Sequence, residues 1–214
     1  MDEEVSIINT NTRNEKIKNF FVKNKKFLIS VFLFIILIIC SYFVYNEFQE
    51  KKVKKLAKKY NNIIISYDPS NKENIKDKLV EIIKERESTY SPLALYFIID
   101  NEIQSSNEEI NSFFDIIINE VNLDIEIKNL IIYKKGLFNS DFEIENNLIE
   151  ILKPIINSDS IWKSHALYLI AEYFFDKNQK LKAREFYNKI LNYEKSNKNI
   201  VLETQKRLSI DFSE

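Results

Sequence analysis

The chain has 214 residues, of which 31 are basic and 32 acidic, so its formal net charge at pH 7 is −1. This balance lacks the excess of Lys and Arg expected of a nucleic-acid-binding protein, and the length suits one globular domain plus a membrane anchor. One Gly and three Pro leave few residues for hairpin turns, so the composition predicts an all-α protein, and its single cysteine excludes an intrachain disulfide.

Residues 27–45 form an uncharged apolar stretch, FLISVFLFIILIICSYFVY. As a helix, which rises about 1.5 Å per residue, the stretch roughly spans the ~30 Å hydrocarbon layer of a membrane. It is longer than the apolar region of a cleaved signal peptide, and it ends in bulky aromatic residues rather than a small-residue cleavage site. We therefore predict a transmembrane helix at 27–45, preceded by a tail over 1–26 and continued by a helix over 46–66.

Charge alone does not orient this anchor, because six Lys or Arg residues lie within twenty residues of it on each side. Lys25 and Lys26 directly precede the apolar stretch whereas Glu47 and Glu50 follow it, which favours a cytoplasmic N-terminus. The basic run at 51–59 has two interpretations: a solvated helix face with Glu–Lys pairs four residues apart, or a contact with lipid headgroups.

Beyond the turn signal at 68–71, apolar residues recur with the spacing of amphipathic helices over a domain predicted at 72–214. We expect each stripe to be buried against a neighbouring helix. In chain order the stripes are Ile75, Leu79, Ile82 and Ile83; Leu95, Ile98 and Ile99; Ile110, Phe113, Phe114 and Ile117; Ile127, Leu130, Ile131 and Leu137; Ile144, Leu148, Ile151 and Leu152; and Ile200 with Leu208.

Capping signals predict where three of these helices begin. The signals are Ser91 followed by Pro92, Ser106 with Glu109, and Ser140 with Glu143. Residues 121–127 alternate between apolar and polar like a strand, but a lone strand would have no partner, so we interpret this segment as part of a helix.

The segment from Ser164 to Leu191, SHALYLIAEYFFDKNQKLKAREFYNKIL, resembles a tetratricopeptide repeat (TPR), a 34-residue helix–turn–helix unit. Asn178 stands at the expected turn, and six residues match the packing positions of the repeat, although Leu167 replaces the usual Trp and Ala171 the usual Gly. Those six are Leu167, Ile170, Ala171, Phe174, Ala183 and Tyr187. Weaker copies at 92–120 and 129–157 complete a predicted TPR-like helical-repeat (α-solenoid) domain.

A second face of the first helix in this segment carries His165, Tyr168, Glu172 and Phe175. In tetratricopeptide arrays this face lines the concave groove, so the resemblance implies a candidate peptide groove in which the aromatic rings supply contact area and Glu172 orients the peptide. The alternative is that Tyr168 and Phe175 pack against the preceding helix pair.

The sequence contains no arrangement typical of a catalytic or metal site. One Gly cannot form a phosphate-binding loop, and one His cannot supply a two-His metal site. We therefore expect no enzyme activity, catalytic residue, metal, cofactor or small-molecule substrate.

The order of parts resembles the ancillary SecYEG translocon subunit family, the YfgM-like proteins of the bacterial inner membrane. Residues 13–21, 89–94 and 162–183 carry the local likeness. The resemblance implies a single-pass inner-membrane protein with a cytoplasmic N-terminus and a periplasmic C-terminal domain. It further implies partners among translocon subunits, periplasmic chaperones and exported chains. The rival interpretation is a membrane-anchored scaffold or assembly factor whose helical domain faces the cytosol.

Overall fold

The computed structural model describes residues 15, 16, 18–69 and 72–212, and within them the regular structure is helical, with no strand. The all-α prediction is confirmed. The helices from residue 25 onward are α1 (Lys25–Ile65), α2 (Lys72–Lys84), α3 (Tyr90–Asp100), α4 (Asn107–Glu120), α5 (Ile125–Asn139), α6 (Glu145–Ile156), α7 (Lys163–Asp176), α8 (Lys180–Leu191) and α9 (Lys198–Asp211). The chain divides into two compact units, with the boundary after Lys55.

The first unit contains the apolar part of α1. Among the described residues, α1 is the one helix long and apolar enough to cross a membrane, and no residue of its most apolar part is buried. Two exposed ion pairs follow, Lys51 with Glu47 at 2.8 Å and Lys54 with Glu50 at 2.5 Å, in the i,i+4 arrangement expected of a solvated face. By length and composition, this helix is compatible with a membrane anchor.

The second unit begins at Leu56 and contains the end of α1 together with α2–α9. Each helix from α2 onward packs against the next, and α2 also contacts α4, α5 contacts α7, and α7 contacts α9. Helices α3, α5, α7 and α9 begin at Tyr90, Ile125, Lys163 and Lys198, so successive starts are 35, 38 and 35 residues apart. The helices therefore recur with a nearly constant period.

The core of this unit consists of two clusters that meet at α5. Ile131 belongs to a cluster formed with the end of α1 and with α2–α4, whereas the adjacent Ile132 belongs to a cluster formed with α6–α8. Ile118 of α4 packs against both. Helix α5 is thus covered on two sides, and each Ile or Leu fully buried there contributes about 1.5–3 kcal/mol relative to an exposed side chain.

Most predicted apolar stripes are buried, but the stripe predicted on α5 is wrong at two of its four residues: Ile131 is buried and Leu130 half-buried, whereas the other two are exposed. Ile127 and Leu137 are 46% and 49% exposed, and the buried residues of α5 are two isoleucines with one Gly and two Asn. Packing on two sides is the physical reason, since the buried surface does not follow a single stripe. In the next stripe, Ile144 precedes α6 and is 64% exposed, whereas Leu148 and Leu152 are fully buried.

The start predicted at Ser91 for α3 is also wrong. The helix begins at Tyr90, and its first N–H groups are capped by the Glu87 carboxylate, which accepts from the N–H of Thr89 at 2.8 Å and of Tyr90 at 2.7 Å. The buried Ser91 hydroxyl instead donates to the carbonyl oxygen of Ile82 in α2 at 3.0 Å. Ser91 therefore joins two helices rather than capping one.

The predicted cap of α4 is confirmed in its main interaction, because the Ser106 hydroxyl accepts from the N–H of Glu109 at 3.1 Å. The Glu109 carboxylate does not return to Ser106; it binds Lys76 of α2 at 2.6 Å. The reciprocal half of the capping box is replaced by a contact between helices.

The start predicted at Ser140 and Glu143 is wrong, because α5 runs to Asn139 and α6 begins only at Glu145. Ser140 follows the end of α5, where its hydroxyl donates to the Leu137 carbonyl at 2.7 Å. Of the other two local predictions, the segment 121–127 is helical only from residue 125. The turn predicted at 68–71 lies partly outside the described residues, which do not include 70 and 71.

Gly136 permits a close approach of α5 and α6. A Cβ atom at this position would lie 2.5 Å from Leu152 Cδ2 and 2.9 Å from Leu152 Cγ, and Leu152 is fully buried. A larger residue would force the core apart, because well-packed interiors have little free space.

We predict that Gly136→Val lowers the free energy of unfolding of the full chain by about 2 kcal/mol or more, since overpacking costs about 1–3 kcal/mol. In the Leu152→Ala background, which opens space beside Gly136, the same change should cost at least about 1 kcal/mol less. Urea unfolding followed by circular dichroism measures both effects, with Leu137→Val at the neighbouring exposed position as the control. Equal losses for Gly136→Val and the control would contradict the close approach.

Candidate protein-binding surface on helix α7

The α7–α8 pair packs through the six residues predicted from the repeat pattern. All six are buried; Leu167 is 4% exposed and the others are at most 1% exposed. Ala171 on α7 and Ala183 on α8 have no side chain beyond Cβ, which lets the two helices approach closely. The six residues predicted to pack the two helices together therefore form the core of the α7–α8 pair.

The turn between α7 and α8 lies at Asn178, as predicted. Asn178 has a φ of 58°, in the left-handed region that Asn tolerates better than most residues. Its N–H donates to the Phe175 carbonyl at 2.9 Å, and the N–H of Gln179 donates to the Phe174 carbonyl at 2.8 Å. This is the Schellman arrangement that satisfies the last carbonyl groups of a helix.

The four residues of the predicted peptide groove lie on α7 and are each half-buried. The first of them, His165, contacts two aromatic rings, with ring centroids 5.2 Å from Trp162 and 6.0 Å from Tyr133 of α5. Trp162 and Tyr133 are themselves stacked at 5.9 Å. Burial lowers the pKa of His165, which favours the neutral imidazole. Tyr133, Trp162 and His165 thus form a half-buried aromatic surface joining α5 to α7.

Tyr168 and Phe175 contact rings that come later in the chain. The Tyr168 ring lies 5.9 Å from Tyr187 of α8. The Phe175 ring lies 5.7 Å from Phe212, which follows α9, and 5.1 Å from the guanidinium of Arg207. These contacts lie toward α8 and α9 rather than toward the preceding helix pair.

Glu172 is held by three hydrogen-bond donors. Tyr187 Oη donates to Oε1 at 2.5 Å, and Arg207 donates from Nε to Oε1 at 3.0 Å and from Nη2 to Oε2 at 2.5 Å. The bond to Glu172 raises the pKa of Arg207, and burial, together with the same carboxylate, raises the pKa of Tyr187. Glu172 therefore fastens α9 to the α7–α8 pair, and its carboxylate is already occupied.

Sequence reasoning missed several residues of this surface, above all Tyr133, Trp162 and Arg207. Arg207 lies 35 residues after Glu172, close to the spacing between successive helix pairs. A search for opposite charges one repeat period apart would have found this pair. The aromatic contact of Tyr133 with His165 likewise joins positions about one period apart.

Within the described part of the chain, no group of three or more His, Cys, Asp or Glu residues is placed to hold a metal ion. No protein-family model matches the chain, and comparisons with curated proteins and with solved structures give no match.

We predict that Arg207→Gln lowers the free energy of unfolding by about 1–2 kcal/mol, because the half-buried Glu172 carboxylate loses its charged donor. Lys206→Gln removes the same charge from an exposed position of the same helix and should change stability by less than about 0.5 kcal/mol. Urea unfolding of the full-length variants provides the comparison. Two variants of equal stability would show that the Glu172–Arg207 pair does not fasten α9.

Proposed function

We propose that this chain is a membrane-anchored, TPR-like protein-interaction module. The α7–α8 pair carries the proposal: its six buried packing residues and the left-handed turn at Asn178 occupy the positions expected of the repeat. An isolated helix pair buries only one side of each of its helices. Successive pairs therefore stack, and the stacked helices leave a continuous surface for other polypeptides.

Polar contacts between alternate helices, or between a helix and the loop before the next but one, support the stacking of successive pairs. Each joins residues roughly one period apart: Lys76 with Glu109 across 33 positions, Ser160 with Glu126 across 34, and Arg207 with Glu172 across 35. Equivalent positions of neighbouring repeats come together in this way in helical-repeat proteins. Together with the starts of α3, α5, α7 and α9, these contacts favour one recurring unit over an irregular helical domain.

The proposed place of action is protein export at the bacterial inner membrane. In this proposal α1 is a single-pass anchor with its N-terminus in the cytoplasm, and the helical domain lies in the periplasm as an ancillary subunit of the SecYEG translocon. Its partners would be translocon subunits, periplasmic chaperones or exported chains. The resemblance in the order of parts supports this assignment, as does the placement of Lys25 and Lys26 directly before the apolar stretch.

The proposed contact surface is the half-buried aromatic surface between α5 and α7, formed by Tyr133 of α5, Trp162 directly before α7, and His165 of α7. Aromatic side chains supply much of the binding energy in protein interfaces. Because Glu172 already binds Arg207, the contact proposed with a partner is aromatic rather than the charged contact expected at Glu172. The module itself is proposed to have no enzyme activity and to need no cofactor.

Crosslinking from this face tests the proposal in a bacterial host. With a photo-crosslinking amino acid at Trp162, we expect covalent adducts with translocon subunits, periplasmic chaperones or exported chains. The same amino acid at Leu181, which is 85% exposed on α8, should give far fewer adducts. Equal yields at the two positions would count against the α7 surface.

A reporter enzyme that is active only outside the cytoplasm, fused after Glu214, shows on which side of the membrane the helical domain lies. If the helical domain lies in the periplasm, as proposed, the fused reporter should be active. An inactive fusion of normal abundance would instead identify the rival, a scaffold whose helical domain faces the cytosol.

A further inference from the structure

A groove of about 590 Å³ lies between α4 and α6, away from the aromatic surface of α7. Its volume is in the range of about 300–1,000 Å³ typical of ligand sites. The α4 side contributes Glu108 and Asp115, the α6 side contributes Glu143 and Glu150, and the amides of Asn111 and Asn139 lie between them.

The two amides form a rigid, hydrogen-bonded pair. Asn111 Nδ2 donates to Asn139 Oδ1 at 2.9 Å, and Asn139 Nδ2 donates back to Asn111 Oδ1 at 2.8 Å. Their remaining N–H groups donate to the carbonyl oxygens of Asn107 and Lys135. Both donors of each amide are used, so no N–H is left for an incoming acceptor. Asn139 is fully buried, so the pair stiffens this part of the groove rather than offering it two free acceptors.

The charged residues of the groove are predominantly acidic. Its lining includes four carboxylates and one basic residue, Lys135, which pairs with Asp115 at 2.7 Å. Glu143 accepts from the Asn147 amide at 2.7 Å, and Glu150 pairs with the exposed Lys153 at 2.9 Å. A concave surface whose charges are mostly of one sign concentrates ligands of the opposite sign.

The neighbouring gaps between alternate helices differ from this one. Lys76 binds Glu109 at 2.6 Å across α2 and α4, and Lys182 binds Glu145 at 2.7 Å across α6 and α8. Between α4 and α6, no salt bridge joins the two helices in the part of the chain that the structure describes. Both sides offer carboxylates there, and the lysines that pair with them, Lys135 and Lys153, do not bridge the two helices.

The lining of the groove also includes apolar side chains. These favour a polypeptide ligand over a simple cation, because a cation has no apolar part to place against them. Phe142 is 42% exposed and packs edge-on against Phe138 with ring centroids 5.3 Å apart, and Ile151 lines the groove beside it. A ligand that fits this lining combines positive charge with an apolar neighbour.

We propose that the α4–α6 groove binds a basic polypeptide segment, with Lys or Arg side chains between the acidic walls and an adjacent apolar side chain against Phe142. This inference goes beyond the proposed function and depends neither on the α7 surface nor on the orientation of the anchor. The partner is a separate protein, identified by its charge and its apolar residues.

Peptide binding tests the proposal with the full chain in nanodiscs of zwitterionic lipid. The probe is the fluorescein-labelled peptide Lys-Leu-Lys-Lys-Leu-Lys, with Glu-Leu-Glu-Glu-Leu-Glu as its counterpart, and fluorescence anisotropy gives the Kd. We expect the basic peptide to bind and the acidic one not to bind. The double variant Glu143→Gln, Glu150→Gln should raise the Kd by about tenfold, because it removes two negative charges and keeps the shape of both side chains.

The matched control is Glu194→Gln with Glu203→Gln, which makes the same change in net charge at exposed positions outside the groove. Its Kd should stay within about twofold of the parent chain. A second variant, Glu150→Lys, supplies the missing cation from α6 and should abolish peptide binding while leaving the unfolding midpoint unchanged or higher.

Three outcomes would overturn the proposal. The first is equal binding of the basic and acidic peptides, and the second is an equal loss of affinity in the groove and control variants. The third is that Glu143→Gln with Glu150→Gln leaves peptide binding intact but changes the oligomeric state measured by light scattering, which would make the occupant a second copy of this chain.

Discussion

Helices α2–α9 are each between 11 and 15 residues long, and isolated helices of this length are marginally stable in water. Each must therefore bury an apolar face against a neighbour. One pair covers only one side of each helix, so the next pair has to cover the other. Helix α5 shows the result most directly, because Ile131 and Ile132 belong to different core clusters. The stability of any one helix depends on the helices before and after it.

Polar contacts then determine how the gaps between alternate helices are filled. Lys76–Glu109, which is partly buried, and the more exposed Lys182–Glu145 each bridge neighbouring helices, and ion pairs near the surface add little to stability by themselves. The gap between α4 and α6 has no such bridge within the described residues, and acidic side chains remain on both of its walls. The packing that buries the core thus leaves an acidic surface between α4 and α6. The aromatic contact of Tyr133 with His165 is a second surface of this kind, between α5 and α7.

The sequence identified features that depend on local periodicity, including the stripe on α4, the core of the α7–α8 pair and the turn at Asn178. It failed where a residue serves a neighbouring helix. Ser91 binds α2, and Ser140 follows the end of α5, although both resemble N-caps. Within the candidate site, the face of α7 was found from spacing, but the occupation of Glu172 was not, because Arg207 is distant in sequence. Whether this face binds a peptide remains a prediction.

A contact between α5 and the loop that leads into α7 tests the stacking of alternate helices most directly. The Ser160 hydroxyl donates to Glu126 Oε2 at 2.6 Å, so cysteines at these two positions should be close enough to crosslink. In a Cys40→Ser background, Glu126→Cys with Ser160→Cys should join rapidly within one chain when treated with a short bismaleimide, and Lys128→Cys with Ser160→Cys should join slowly. Equal rates for the two pairs, measured by mass spectrometry, would show that α5 and α7 do not stack in this register.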